Sequence, residues 1–222
     1  MTLVVPIGAD CGVSFFCKKF DLRRCSLPFD WTVSYNGVSR CFDRDFQGFT
    51  EPLDDARINN DDVYFHHDFA GGTSAVTSHD DDHGKYARRC ARLVHLLRTT
   101  TECVVFCRKG HSARHHEEHR GRFATITSDL DDCANLHRVI SCKYPNLRFK
   151  IVVFLMCGAC FAPGVAYESP HEHMEVFNLA KTGVYDHHAD YATFEEGAIP
   201  RLVVGACSTN EDRGLVADQS PN

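Results

Sequence analysis

The chain has 222 residues, 43% of them hydrophobic and 24% charged, with a formal net charge of −6. That is enough apolar side chain for a sizeable core, which excludes wholesale disorder. The acidic balance argues against a nucleic-acid partner, because phosphate binding needs a net basic face. No run of about 18 apolar residues occurs, and the N-terminus lacks the basic and long apolar regions of a signal peptide, so neither a membrane span nor secretion is expected.

Residues 3–7 read as a short strand, turned by Gly8-Ala9-Asp10, with Asp10 set to cap a helix. That helix is expected over 11–20, since Val13, Phe16, Cys17 and Phe20 fall at i, i+3, i+4 and i+7. Pro28 biases Leu27 away from helix, so 25–31 is extended or turn. A polar stretch follows, broken by Gly37, Gly48 and Pro52, and 63–69 reads as a second strand. Residues 70–84 read as a polar loop. A helix over 85–98 carries Tyr86, Cys90, Leu93, Val94 and Leu97 on one face and Arg88, Arg89 and Arg92 on others. These arginines suit a solvated face, a reply to the acidic segment, or a phosphate.

Residues 102–107 read as a strand and the His-rich 108–122 as a loop. Ser128 is placed to cap a helix whose first turn holds Asp129, Asp131 and Asp132, where the macrodipole favours anions; Pro145 marks its end. Residues 149–157 form a continuous apolar run, as a strand buried on both faces would. Shorter strands are expected at 174–179 and 202–204, and 208–222 reads as a tail. Helices alternating with apolar strands predict an α/β fold, a layered sheet flanked by helices, in one domain over 1–207. Residues 54–82 hold eight Asp against one Arg, which is −7, so this segment carries the whole charge imbalance. The twelve cysteines fall largely at apolar positions and, without a secretion signal, read as reduced core thiols.

Cys11 falls just after a strand and turn, at a helix N-terminus. Unsatisfied N–H groups and the dipole there favour a thiolate and can receive an oxyanion. A cysteine nucleophile needs a base and a group to orient that base. His67 is the candidate base, with Asp30 or Asp68 as orienting acid. Asp30-Trp31 reads equally as a buried turn, the carboxylate capping local N–H groups and the single Trp packing on the core. His66 and His67 alternate along the expected strand, so only one faces a given side; His66 reads as a solvated or packing residue.

The segments 7–14 (Ile-Gly-Ala-Asp-Cys-Gly-Val-Ser) and 22–31, ending in Pro28-Phe29-Asp30-Trp31, resemble the opening of the papain-like cysteine peptidases of the DUF1796 group, found in bacteria and large DNA viruses. Residues 65–69 are similar to that group's aromatic-x-His-Asp-Phe element, and 86–93 with 104–108 to its Arg-bearing helix and following strand. The resemblance covers residues 3–110, the first half of the domain, and fades over 111–207. It implies a hydrolase attacking a peptide or isopeptide carbonyl, with Cys11 as nucleophile, His67 as base and Asp30 as orienter. It also implies a protein or peptide substrate, no cofactor, and a cytoplasmic setting in a host cell or particle. Two departures stand out. Val4-Val5-Pro6-Ile7 lacks the Gln that papain-type enzymes carry before their Cys. The layered reading also differs from the papain-like α+β alternative; a strand–turn–nucleophile–helix start is equally like an esterase elbow or an SGNH-type hydrolase.

Two rival readings stand beside it. A non-catalytic structural protein could keep the fold, with virion proteins as partners. Cys157, Cys160, His171 and His173 could instead hold a zinc ion as a two-sulfur, two-nitrogen set. His115, His116 and His119, and His187 and His188 with Asp186 and Asp190, are further groups able to ligate; exposed His-rich loops explain them as well.

Overall fold

The computed structural model describes residues 2–51, 53, 56–69, 79–110, 126–157, 166–167, 174–180 and 187–204. Four strands run parallel: β1 (Thr2–Pro6), β4 (Cys103–Gly110), β5 (Phe149–Cys157) and β7 (Met174–Ala180). The short β6 (Ala166–Tyr167) pairs antiparallel at the β7 edge, giving the order β1-β4-β5-β7-β6. A separate antiparallel pair joins β2 (Val33–Ser34) to β3 (Val63–Tyr64). The helices are α1 (Gly12–Lys19), α2 (Val38–Asp43), α3 (His79–Thr99), α4 (Ile126–Lys143) and α5 (His187–Ala198), the last running into a π-helical turn, Ile199–Val204.

Alternation along the strands divides the core in two. Leu3, Val5, Val104, Phe106, Ile151, Val153 and Leu155 face one side, where they meet Val38 and Phe42 of α2, Tyr86 and Leu93 of α3, and Leu136 and Ile140 of α4. Val4, Val105, Cys107, Val152, Phe154 and Met156 face the other, against Val13, Phe16 and Cys17 of α1 and Phe194 and Ala198 of α5. The fold is therefore the layered α/β sandwich expected from the sequence, not the papain-like α+β alternative. The uninterrupted apolar run of β5 has its reason here: both of its faces are covered by helices.

Several local expectations are overturned. The expected loop 70–84 gives way to helix from His79. The strand expected over 63–69 shrinks to Val63–Tyr64, because only those residues pair with β2. Residues 108–110, read as loop, complete β4. Leu202–Val204 lie in the π-helical turn rather than a strand. The polar stretch after Trp31 contains α2.

Helix α4 begins at Ile126, ahead of Ser128, and its acidic residues do more than answer a dipole. Asp129 bonds the fully buried Arg108 side chain, which also donates to the carbonyls of Ile7 and Tyr35. Asp132 accepts from the N–H groups of Val38 and Ser39 at 3.2 and 3.1 Å and so caps α2 from 93 residues away. Burial alone would lower the Arg108 pKa, but Asp129 and its neighbours raise it past its ordinary value, so the buried cation stays charged. No helix among the described residues is long and apolar enough to cross a membrane.

Candidate functional site

The candidate site begins where β1 ends. The ladder to β4 continues beyond Pro6: Ile7 N–H donates to the Cys107 carbonyl at 2.9 Å, and Lys109 N–H to the Gly8 carbonyl at 2.7 Å. Gly8 holds φ +106°, and a Cβ there would lie 2.9 Å from Ser34 Cβ, so only glycine lets β2 dock this closely. Ser34 N–H closes the contact by donating to the Ala9 carbonyl at 2.7 Å. The chain then turns up through Asp10 into α1. This is the carboxyl end of the parallel sheet, where open α/β folds bind their ligands.

Cys11, not Asp10, occupies the N-cap position of α1, and its thiol makes no capping hydrogen bond. Asp10 still contributes, since its Oδ1 accepts the Gly12 N–H at 2.8 Å. Its Oδ2 pairs at 2.9 Å with the Lys109 ammonium, a side chain only 4% exposed. Cys11 itself is half-buried. Thiols in the core are sealed. Burial pushes Cys17 up to about 12, and it carries Cys41, Cys107 and Cys133 well above the ordinary thiol range. The reduced-thiol reading agrees: Cys11, Cys17, Cys25, Cys41, Cys90, Cys103, Cys107, Cys133 and Cys142 are all unbridged.

Asp30 is fully buried and its carboxylate is spoken for. Oδ1 accepts from Ser14 Oγ of α1 at 3.1 Å; Oδ2 accepts from Arg23 Nη2 at 2.6 Å and from Leu27 N–H at 3.0 Å. The carboxylate caps the Leu27 N–H as the buried-turn reading expects, but Trp31 is half-buried and meets Phe15 and His67 rather than packing on the core. The tetrad divides its labour by direction. Phe29 enters the core against Phe42, Phe46 and Phe49, Asp30 ties α1 to the Arg23 segment, and Trp31 turns outward.

Trp31 links α1 to His67. Its ring meets Phe15 edge-on at 5.1 Å and His67 edge-on at 6.2 Å. Phe15 stands one turn after Cys11 and is 44% exposed, the one exposed large hydrophobic side chain among the described residues. His67 is exposed; His66 is half-buried, with its Nδ1 3.3 Å from Tyr64 Oη. Asp68, the other candidate acid, accepts from Lys85 Nζ and Tyr86 Oη, each at 2.7 Å. Of the arginines on α3, Arg92 donates to the Ser26 carbonyl at 2.7 Å and Arg89 lies 5.0 Å over the Tyr86 ring.

Sequence reasoning missed Lys109, the charged neighbour of this turn. Its signal was there, a Lys two residues beyond Cys107 at the end of an apolar strand, but the loop reading of 108–122 concealed it. Among the described residues no group of three or more His, Cys, Asp or Glu is gathered as a metal site. Cys160, His171 and His173 lie outside those residues, as do His115, His116, His119, Asp186 and the tail, while Cys157 ends β5.

The family model described as "Putative papain-like cysteine peptidase (DUF1796)" matches residues 2–62. That stretch holds Cys11, Asp30 and the tetrad, and it stops short of His67. An uncharacterized protein of Acanthamoeba polyphaga mimivirus, R408, is 42% identical over 40 residues, which is 18% of this chain and 18% of that protein's length. No solved structure matches the chain.

Proposed function

We propose that the chain is a cysteine-dependent hydrolase of peptide or isopeptide bonds, with Cys11 as nucleophile and His67 as base. The observation that carries the reading is the contrast among thiols: Cys11 stands half-buried at a helix mouth, while its neighbours in the core are desolvated. The family match over the same turn supports it, and so does the ring path from Phe15 through Trp31 to His67.

In this mechanism the Cys11 thiolate attacks the substrate carbonyl carbon and the C–S bond forms. The Val13 and Ser14 amides of α1, which lack intrahelical acceptors, receive the oxyanion in place of the absent Gln, the Gly12 amide being taken by Asp10. The protonated His67 gives its proton to the leaving amine as the C–N bond breaks. Water, deprotonated by His67, then attacks the thioester, and the C–S bond breaks to release the acid and restore the thiol. Asp30 is a positioning residue: bound to Ser14, Arg23 and Leu27, it holds α1 rather than the imidazole.

The test is iodoacetamide labelling at neutral pH followed by peptide mapping, with the exposed Cys142 as internal reference. Cys11 is expected to react faster than Cys142, and a peptidyl vinyl sulfone to add one mass equivalent that Cys11→Ala abolishes and His67→Ala slows. If Cys11 reacts no faster than Cys142, the activated thiolate is gone and the hydrolase reading with it.

A further inference from the structure

Lys109 is a cation where a fold should not leave one. Lysine is almost never so fully buried unless paired, and its ammonium lies beneath the first turn of α1, whose dipole disfavours a positive charge. An ideal Cβ built on Gly12 would stand 3.5 Å from Lys109 Nζ and 2.9 Å from Asp10 Oδ1, so both charged groups press on the residue next to Cys11. Two positive centres converge there, the ammonium and the helix mouth, and Asp10 bonds both. Ionising Cys11 adds a further anion beside them.

Among the described residues, other charged or titratable groups also lie near Cys11. From α5, Tyr191 feels the charge of Cys11 and hydrogen-bonds Glu195, which pairs with Lys19 at 2.7 Å. His67 meets the Trp31 ring, which in turn meets Phe15 of α1. Cys17, six residues along α1, is sealed in the core.

We infer that Lys109 is the positioning residue that makes Cys11 reactive: held by Asp10 beneath α1, its ammonium is the counter-charge for the Cys11 thiolate. The inference rests on the reading of Cys11 as a nucleophile and names what activates it. Asp10 tempers the effect, keeping the buried ammonium paired while the thiol is neutral. The two residues therefore push Cys11 in opposite directions, which makes the inference testable by sign.

The experiment follows the iodoacetamide rate at Cys11 across pH by mass mapping in the full chain. Lys109→Met should move the midpoint of the profile upward and slow labelling at pH 7 about tenfold, as losing one neighbouring charge does to a thiol. Lys109→Arg should restore most of the rate. Asp10→Asn keeps an Oδ1 acceptor for the Gly12 N–H while removing the negative charge, so it should move the midpoint downward. Should Lys109→Met fail to fold, the Asp10→Asn arm decides alone. An unmoved midpoint in folded Lys109→Met, or in Asp10→Asn, overturns the inference. Hydrolysis is scored separately: shifted midpoints with no cleavage of any peptide sink the hydrolase reading but leave Lys109 as the activator of a reactive thiol.

Discussion

The two ends of helix α1 carry the same side chain in opposite surroundings. Cys11 stands at the mouth, half-buried, above a buried ammonium and beside Asp10. Cys17 lies one and a half turns on, packed with Phe16 and Val13 against Val105 and Phe154. Burial pushes its thiol up to about 12, with Asp30 adding to the rise and Arg23 opposing it. Six residues along a helix of 3.6 per turn separate a half-buried thiol from a sealed one. On the proposed reading, reactivity in this molecule is a property of position on the helix. It is not a property of being cysteine, since burial holds Cys41, Cys90, Cys107 and Cys133 protonated as well.

Asp30 serves both ends of that comparison, and breaking it should have the largest effect. Asp30→Ala strands Arg23, the Ser14 hydroxyl and the Leu27 N–H, and is expected to cost about 3–5 kcal/mol in urea unfolding, as removal of one partner of a buried pair does. A loss within error would show that α1 is held in place by packing alone. Next comes the same exchange at the two ends. Cys17→Ser puts a hydroxyl into an apolar cluster and should cost about 1–3 kcal/mol, whereas Cys11→Ser should stay within about 0.5 kcal/mol. Equal costs would erase the contrast.

The sealed end also predicts alkaline sensitivity. Cys17 titrates near 9.0 when unfolded and is pushed up to about 12 when folded, so between those values the unfolded chain has lost a proton that the native one keeps. Stability is therefore intact below pH 9 and declines as pH rises toward 12. Thermal melts should show this, and Cys17→Ala should flatten part of the decline. The smallest effect is optical. Trp31 is the single Trp and its ring meets His67 edge-on, so His67→Ala should shift its fluorescence emission. An unchanged spectrum would show that the two rings do not meet in solution.

What could be read along the chain, and what could not, follows from where each element finds its partners. Helix α3 and strand β5 are legible because their own apolar spacing reports how they are buried. Helix α2 is not, because six residues offer little period and its first-turn amides are satisfied by Asp132, 93 residues away. Asp129 and Asp132 look like ordinary first-turn acids until Arg108 is seen beneath them, fully buried in a strand the sequence ended early. In the site, Cys11 and the tetrad are visible as a pattern. The engagement of Asp30 with Ser14 and Arg23 was within reach only as a capped turn. Lys109 beneath Asp10 was not visible, since a contact across 99 residues leaves no local spacing to read.

The sequence alone determined the layered α/β class, the strand–turn–cysteine–helix opening and the two-sided burial of β5, because hydrophobic period and turn chemistry act over a few neighbouring residues. Only the tertiary structure decided which thiols are sealed, which carboxylates are occupied and which cation lies under α1. Those outcomes depend on desolvation and Coulomb pairing between groups brought together by the sheet, and such energies are set by distance in space rather than along the chain.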